Sequence, residues 1–270
     1  MILASIGIVA SSGGDLDALA FINAAGITDT TQKSAINKLI TDFKSANIWT
    51  KMKAIYPFVG GSAFSHKFNA KDPGDLDSAY RLQFNGGWTH SNIGALPNGT
   101  NGYADTYYNA LSNIIDTSSH LSVYNTTANA IGTSRIYMGA ISTLNSFTAL
   151  TWGSGGTKEV GTIGGLGADY AGNLSAFAGH KIINTNGSRN ARYFKNGIFQ
   201  QSVLQTSNVP NINIYIGAAN EEDNILPPSP NFFQDVNLAF ASIGDGLTDA
   251  EATAFYNAVQ TFQTTLNRQV

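Results

Sequence analysis

Carboxylates two residues apart are the first chemistry to look for, because on a strand only positions i and i+2 share a face. Two such pairs occur, Asp15/Asp17 and Asp75/Asp77. Side by side on a sheet, such a pair would act as nucleophile and acid in glycoside cleavage. Asp15-Leu-Asp17 instead opens a stretch of helical spacing, where acidic residues complement the helix dipole. Asp75-Leu-Asp77 follows Asp72-Pro73-Gly74 and reads as a turn leading into a strand. Glu221, Glu222 and Asp223 are consecutive and cannot share one strand face. No catalytic residue is assigned, and enzymatic activity is not expected. His66, His90, His120 and His180 lie far apart, with no carboxylate or second His at metal-ligand spacing, and read as surface or partly buried strand residues. The Gly-rich stretches at 153–156 and 161–167 lack the Lys-Ser/Thr or the following helix that phosphate binding requires, and read as turns.

Binding chemistry is better represented. Sugar recognition joins an aromatic platform to amide hydrogen bonds, and Trp88, His90 and Asn92 in the long loop 86–102 supply that combination. They form the candidate glycan-binding set, with packing of the sandwich rim as the alternative role for Trp88. Asp169, Asn173, Asp223 and Asn224 offer hard oxygen ligands for calcium, the one cofactor to consider, although their spacing matches no known calcium loop and solvated turns are the plainer reading.

The elements that must position these residues are mostly strands. Only 12% of the 270 residues are charged, about half the usual share, and Asn, Thr, Ser and Gly fill the difference. Period-two alternation marks strands at 53–59, 79–84, 120–124, 135–141, 147–152, 174–177, 180–184, 191–195, 198–203, 212–218 and 236–243. Asn196-Gly197 between two of them is the pair that a two-residue type I′ hairpin demands. Helical spacing is confined to the ends. Residues 15–25 are followed by Gly26; residues 28–44, with Thr28 at the cap, set Ile36, Leu39, Ile40 and Phe43 on one face. Thr248-Asp-Ala-Glu251 is a capping box ahead of a stripe of Phe255, Val259, Phe262 and Leu266.

A net charge of −3 without any Lys/Arg cluster argues against a nucleic-acid partner. There is no cysteine, hence no disulfide framework or thiolate chemistry. The apolar start, residues 1–10, lacks a basic leader region and is too short to span a membrane; it reads as an arm that packs on the domain or on a neighbour. The expected organisation is an arm at 1–14 and one mainly β-sandwich domain at 15–270, with a helical lead-in at 15–46, strands over 53–244 and a closing helix at 248–266.

Across the C-terminal third, the hairpin RYFKNGIFQQS, the strands NINIYIGAAN and NLAFASIGDG and the capped LTDAEATAFYNAVQTFQ follow in order. That order resembles the tail of concanavalin A-like lectin/glucanase domains of the laminin-G type, with Gly217, Leu247, Asp249, Glu251 and Tyr256 in matching places. The resemblance implies a jelly-roll β-sandwich with a closing helix across one end, plugged by Phe255 and Tyr256. Residues 16–73 are similar to a front half common in bacteriophage and prophage structural proteins, which also share the closing AFASIGDGLTDAEATAFYNAVQTFQTTLNRQV. That second resemblance implies a virion component made in the host cytoplasm (tail, fibre, baseplate or capsid decoration), oligomeric, with other virion proteins as partners and a host-surface glycan as ligand. The alternative expectation is a lectin-like carbohydrate-binding module.

Overall fold

A computed structural model describes residues 14–128, 134–142, 146–152, 159–165, 168–170, 178–222 and 227–270. Residues 1–13 of the expected arm, the expected strand at 174–177 and the Gly-rich turn at 153–156 lie outside them. The chain opens with helices α1 (Leu16–Ala24) and α2 (Thr30–Ser45), then β1 (Met52–Tyr56) and the single turn α3 (Ala63–His66). Four strands follow: β2 (Gln83–Asn85), β3 (Trp88–Ser91), β4 (Gly94–Pro97) and β5 (Tyr103–Asn109), with the short α4 (Ala110–Asn113) after them. The middle holds β6 (Ser118–Asn125), β7 (Arg135–Ser142), β8 (Ser146–Trp152), β9 (Glu159–Ile163) and β10 (Ala168–Tyr170). Next come β11 (Gly179–Asn186), β12 (Asn190–Lys195), β13 (Ile198–Leu204), β14 (Asn213–Ile216), β15 (Ala219–Glu222) and β16 (Ser229–Asn231). The chain closes with β17 (Leu238–Gly244) and α5 (Asp249–Thr265).

Local chemistry sets the helix ends. Asp15 caps α1, accepting from the N–H groups of Asp17 and Ala18. At α2 the cap is Asp29, not Thr28: its carboxylate accepts from the Gln32 N–H at 2.8 Å, and a charged cap also complements the helix dipole. The expected capping box on α5 is formed. Thr248 Oγ1 accepts from the Glu251 N–H at 3.2 Å, and the Glu251 carboxylate accepts from the Thr248 N–H at 2.7 Å. Lys51 Nζ sits 2.6 Å from the same carboxylate and ties the helix start to the segment before β1. In the β12–β13 hairpin Asn196 and Gly197 both take positive φ, 48° and 74°, as a type I′ turn requires.

The strands form two sheets packed as a sandwich. Sheet I runs β13-β12-β11-β6-β17-β4-β3, with β1 also on β17; sheet II runs β10-β9-β8-β7-β14-β5-β2, with β15 beside β7 and β16 on β15. The loop expected at 86–102 is in fact the β3–β4 hairpin, Trp88 opposite Pro97 and His90 opposite Ala95. Its four-residue strands are too short to show a period.

Neighbouring residues of sheet I face opposite ways, and both sides are apolar. Leu121, Val123, Ile183, Tyr193, Ala241 and Ile243 pack inward against Tyr137, Met138, Ile214 and Ile216 of sheet II. Tyr124, Ile182, Phe194 and Phe240 pack outward, beneath Phe21, Ile36, Leu39, Phe43, Phe255, Val259 and Phe262 of α1, α2 and α5. The closing helix therefore covers the outer face of sheet I; it does not cross the end of the sandwich. The second apolar row on the strands demands that cover. Phe255 is its centre, 5.2 Å from Phe43, 5.5 Å from His120 and 5.0 Å from His180 between ring centroids.

Three of the four histidines are buried by this arrangement: His66, His120 and His180. Burial pushes their pKa values down to about 3, about 4 and about 3 respectively. Both ring nitrogens of His180 lack a hydrogen-bond partner among aromatic neighbours.

Two outcomes follow for stability. Phe255→Ala lowers the unfolding free energy by about 3–5 kcal/mol, measured by chemical denaturation, because it hollows the layer between helix and sheet. For the histidines the folded pKa lies below the unfolded value of about 6.5, so their stabilisation is complete above that pH and is lost as pH falls toward 4. Melting temperature should fall through this window, each imidazole contributing up to about 1.4 kcal/mol per pH unit, and His180→Leu should flatten the profile. A flat profile in the wild-type chain would contradict the neutral, buried state of these rings.

Candidate functional site

The helices cover the outer face of sheet I, and β15 and β16 cover part of sheet II beside β7, while the outward side of β5 and β14 in sheet II stays half-exposed. These two strands alternate strictly, with Ala104, Thr106, Tyr108, Ile214 and Ile216 turned inward. Tyr103, Asp105, Tyr107, Asn213 and Tyr215 are turned outward and half-buried. The register puts Asp105 opposite Gln83 on one side and Tyr215 on the other, so the three form one row across three strands. Tyr103 and Tyr215 stack at 4.8 Å between ring centroids and 25° between planes. Asn213 Nδ2 donates to both Asp105 oxygens, at 3.1 and 3.3 Å. Asn109 and Asn211 extend the amide row, joined at 3.2 Å.

Tyr107 is held in the left-handed region at φ 55°, a conformation costly for a bulky side chain. A bulge requires it. Asn109 pairs with Asn213 and Asp105 with Tyr215, so between those pairs β5 carries two residues more than β14. The Asp105 carboxylate closes the bulge by accepting the Tyr107 N–H at 2.7 Å. The result presents the Tyr107 ring outward, with its hydroxyl donating to Gln83 Oε1 and Arg81 lying 5.8 Å over its ring. Strain of this kind, of the order of 1–3 kcal/mol, concentrates at ligand sites.

Electrostatics ties the cluster together. Burial raises the Asp105 pKa against the lowering effect of the Tyr107 and Asn213 donors. Burial, with the fields of Asp105, Tyr103 and Tyr107, pushes the Tyr215 phenol up to about 12. The face thus offers a carboxylate acceptor, neutral phenols, amides and flat aromatic surface, the set that holds polyhydroxylated rings.

The residues singled out from sequence fall elsewhere. Trp88 Nε1 donates to the carbonyls of Asn85 and Tyr103 at 3.1 and 3.2 Å, and its ring packs on Phe84 at 5.1 Å. Gly217, at φ 83°, makes room for it: a Cβ there would lie 2.8 Å from the indole. The ring is a wedge at the sandwich rim, with its N–H already satisfied. His90 stacks on Trp88 at 6.1 Å and shares a 2.9 Å Nδ1–Nδ1 hydrogen bond with His66, so two histidines far apart in sequence meet in space. Asn92 turns the other way, accepting from Gln32 Nε2 at 3.4 Å beside a polar groove of about 220 Å³ lined by Asp29, Gln32, Thr265 and Asn267. The structure joins Trp88 to His90 and separates Asn92 from them.

Asp75 and Asp77 do not form a strand pair: Lys67 holds Asp75 at 2.6 Å, and Arg81 holds Asp77 at 2.8 Å next to a 3-10 turn. The backbone of Asp169 belongs to β10, while its side chain and all of Asn173, Asp223 and Asn224 lie outside the described residues. Among the described residues no group of three or more His, Asp or Glu is placed to hold a metal.

Sequence reasoning passed over the tyrosine face, although its signal is present. In YADTYYN the residues at 103, 105, 107 and 109 alternate with buried ones, and in NINIYI those at 211, 213 and 215 do the same. Two such alternations at strand spacing, once paired, bring polar and aromatic side chains together on one sheet face.

No protein-family model matches this sequence, and no curated protein matches it. Solved structures do match in fold. One, of botulinum neurotoxin type C and described as dependent for cell entry upon interaction with two ganglioside molecules, aligns with TM-score 0.56 at 12% identity, over 80% of this chain and 53% of that one. The binding domain of botulinum neurotoxin DC in complex with rat synaptotagmin II aligns with TM-score 0.54 at 12% identity, over 79% and 53%. The binding domain of serotype D aligns with TM-score 0.51 at 13% identity, over 78% and 52%. At these identities the likeness is one of fold, and this chain spans about half the length of those it matches.

The strain at Tyr107 is measurable. Glycine takes positive φ freely and alanine does not, so Tyr107→Gly should be more stable than Tyr107→Ala by about 1 kcal/mol in chemical denaturation. Equal stabilities would show that the position carries no strain.

Proposed function

We propose that this chain is a lectin-like glycan-binding module whose site is the outer face of sheet II. The observation that carries the reading is the row Gln83–Asp105–Tyr215 flanked by the outward rings of Tyr103 and Tyr107. A sugar's C–H face packs on the tyrosines while its hydroxyls donate to Asp105 and accept from the amide of Gln83. The likeness in fold to neurotoxin binding domains, one of them described by its interaction with gangliosides, supports a binding role for this type of sandwich. In this reading the chain binds its ligand without turning it over. The resemblance of residues 16–73 and of the closing segment to phage structural proteins supports a virion as the carrier, with the site serving attachment to a host surface. A proteomic inventory of purified particles that lacks this chain would remove the virion part alone.

The binding part is tested on a glycan array followed by calorimetry. Tyr215→Ala should weaken the recognised glycan by about tenfold, the loss typical of truncating an aromatic anchor. An array without any bound glycan would sink the reading. A loss of affinity confined to Trp88→Ala would move the site to the sandwich rim.

A further inference from the structure

Among the described residues the tyrosine face carries an anion with no cation of its own. The Asp105 carboxylate takes the Tyr107 N–H and the Asn213 amide, both neutral donors, and the charged group whose field it feels is another carboxylate, Asp77. The nearby cations are already matched. Arg81 holds Asp77 at 2.8 Å and approaches Asp75 at 3.6 Å, and Lys67 holds Asp75 at 2.6 Å. Three carboxylates against two cations leave this edge of sheet II one negative charge in excess among the described residues. The more distant oxygen of Asp105, Oδ2, has a single long partner at 3.3 Å, so its lone pairs remain open to a ligand donor. Tyr107 and Tyr215 flank it with phenols that burial holds neutral, which neither supply nor cancel charge.

A site built in this way sorts ligands by charge. Hydroxyl donors gain a charge-assisted bond to the carboxylate. A ligand carboxylate or sulfate would bring a second anion against a half-buried one with no compensating cation, in a setting where water screens poorly. Resting on the glycan-binding reading, we infer that the Asp105 face selects uncharged, hydroxyl-rich glycans and rejects sialylated ones. The strongest partner for a sialic acid carboxylate would be an Arg or Lys, and Lys67 and Arg81 at this edge are already engaged by Asp75 and Asp77.

Matched pairs of immobilised glycans, each presented in sialylated form and after sialidase treatment, test this with the full chain. The desialylated member should bind at least about tenfold more tightly. Asp105→Asn, which keeps the shape and the Tyr107 N–H bond, should lose most of the neutral affinity and narrow the ratio within each pair. Equal or tighter binding of the sialylated members would overturn charge selection while leaving glycan binding intact. Binding of neither member in any pair would instead remove the glycan reading on which the selection rests. Should Asp105→Asn fail to fold by circular dichroism, the comparison within pairs on the wild-type chain decides alone.

Discussion

Burial of sheet I on both faces is the constraint from which the rest of the molecule follows. A sandwich needs one apolar face per sheet, yet β6, β11, β12 and β17 carry two. The outward row of Tyr124, Ile182, Phe194 and Phe240 cannot be left to water, and three helices from the two ends of the chain are required to cover it. That requirement explains why helical patterning is confined to the termini and why α5 is held so firmly. It is capped by Thr248 and Glu251, tied to Lys51, and followed by Arg268, whose buried guanidinium donates to the carbonyls of Pro57, Phe58 and Ala239. The Arg268 bonds stitch the C-terminal end to the segment after β1 and to β17, locking helix layer to sheet. The buried histidines are a by-product of the same layering: a two-sided sheet has no wet position at which to keep His120 or His180.

The covering also decides where function can reside. A sheet closed on both sides offers a ligand only its edges, whereas β5 and β14 of sheet II keep their outward residues half-exposed. That outward side is neither fully apolar nor plainly solvated. It holds three tyrosines, a carboxylate of raised pKa and amides joined to one another. The bulge that turns Tyr107 outward works against stability, and only a large core elsewhere can sustain it. Tyr107 shares its left-handed backbone with Phe58, Tyr80 and Phe232, and burial in two cores sustains that strain.

What could be read from the sequence depended on how local its cause was. The capping box at Thr248, the type I′ turn at Asn196-Gly197 and the acidic start of α1 are set by neighbours a few residues away, and each forms as the residues imply. The β3–β4 hairpin was invisible because WTHS and GALP are too short to show a period. Asp29 displaced Thr28 as the cap because a carboxylate reaching the third helical N–H wins over a hydroxyl one residue earlier. The His66–His90 contact and the packing of α5 on a sheet face arise from strand order, which no local pattern encodes. The tyrosine face lies between these cases. Each strand's alternation is local, but its meaning appears only when the register sets Asp105 between Gln83 and Tyr215.

Fold and site carry different information here. The alignment with neurotoxin binding domains spans most of this chain, yet at 12% identity it transmits the arrangement of the strands and not the side chains on them. Ligand choice must come from charge and shape at the surface, and there the chain speaks for itself. Its low charge makes each unpaired ionised group weigh more, since few others are near enough to mask it. On a face where Lys67 and Arg81 are committed to Asp75 and Asp77, the carboxylate of Asp105 is the group whose field an approaching ligand meets. On the proposed glycan-binding reading, one uncompensated charge, half-buried among phenols, is enough to separate neutral from anionic partners, because an aromatic surface would attract both classes of sugar and leave electrostatics to decide between them.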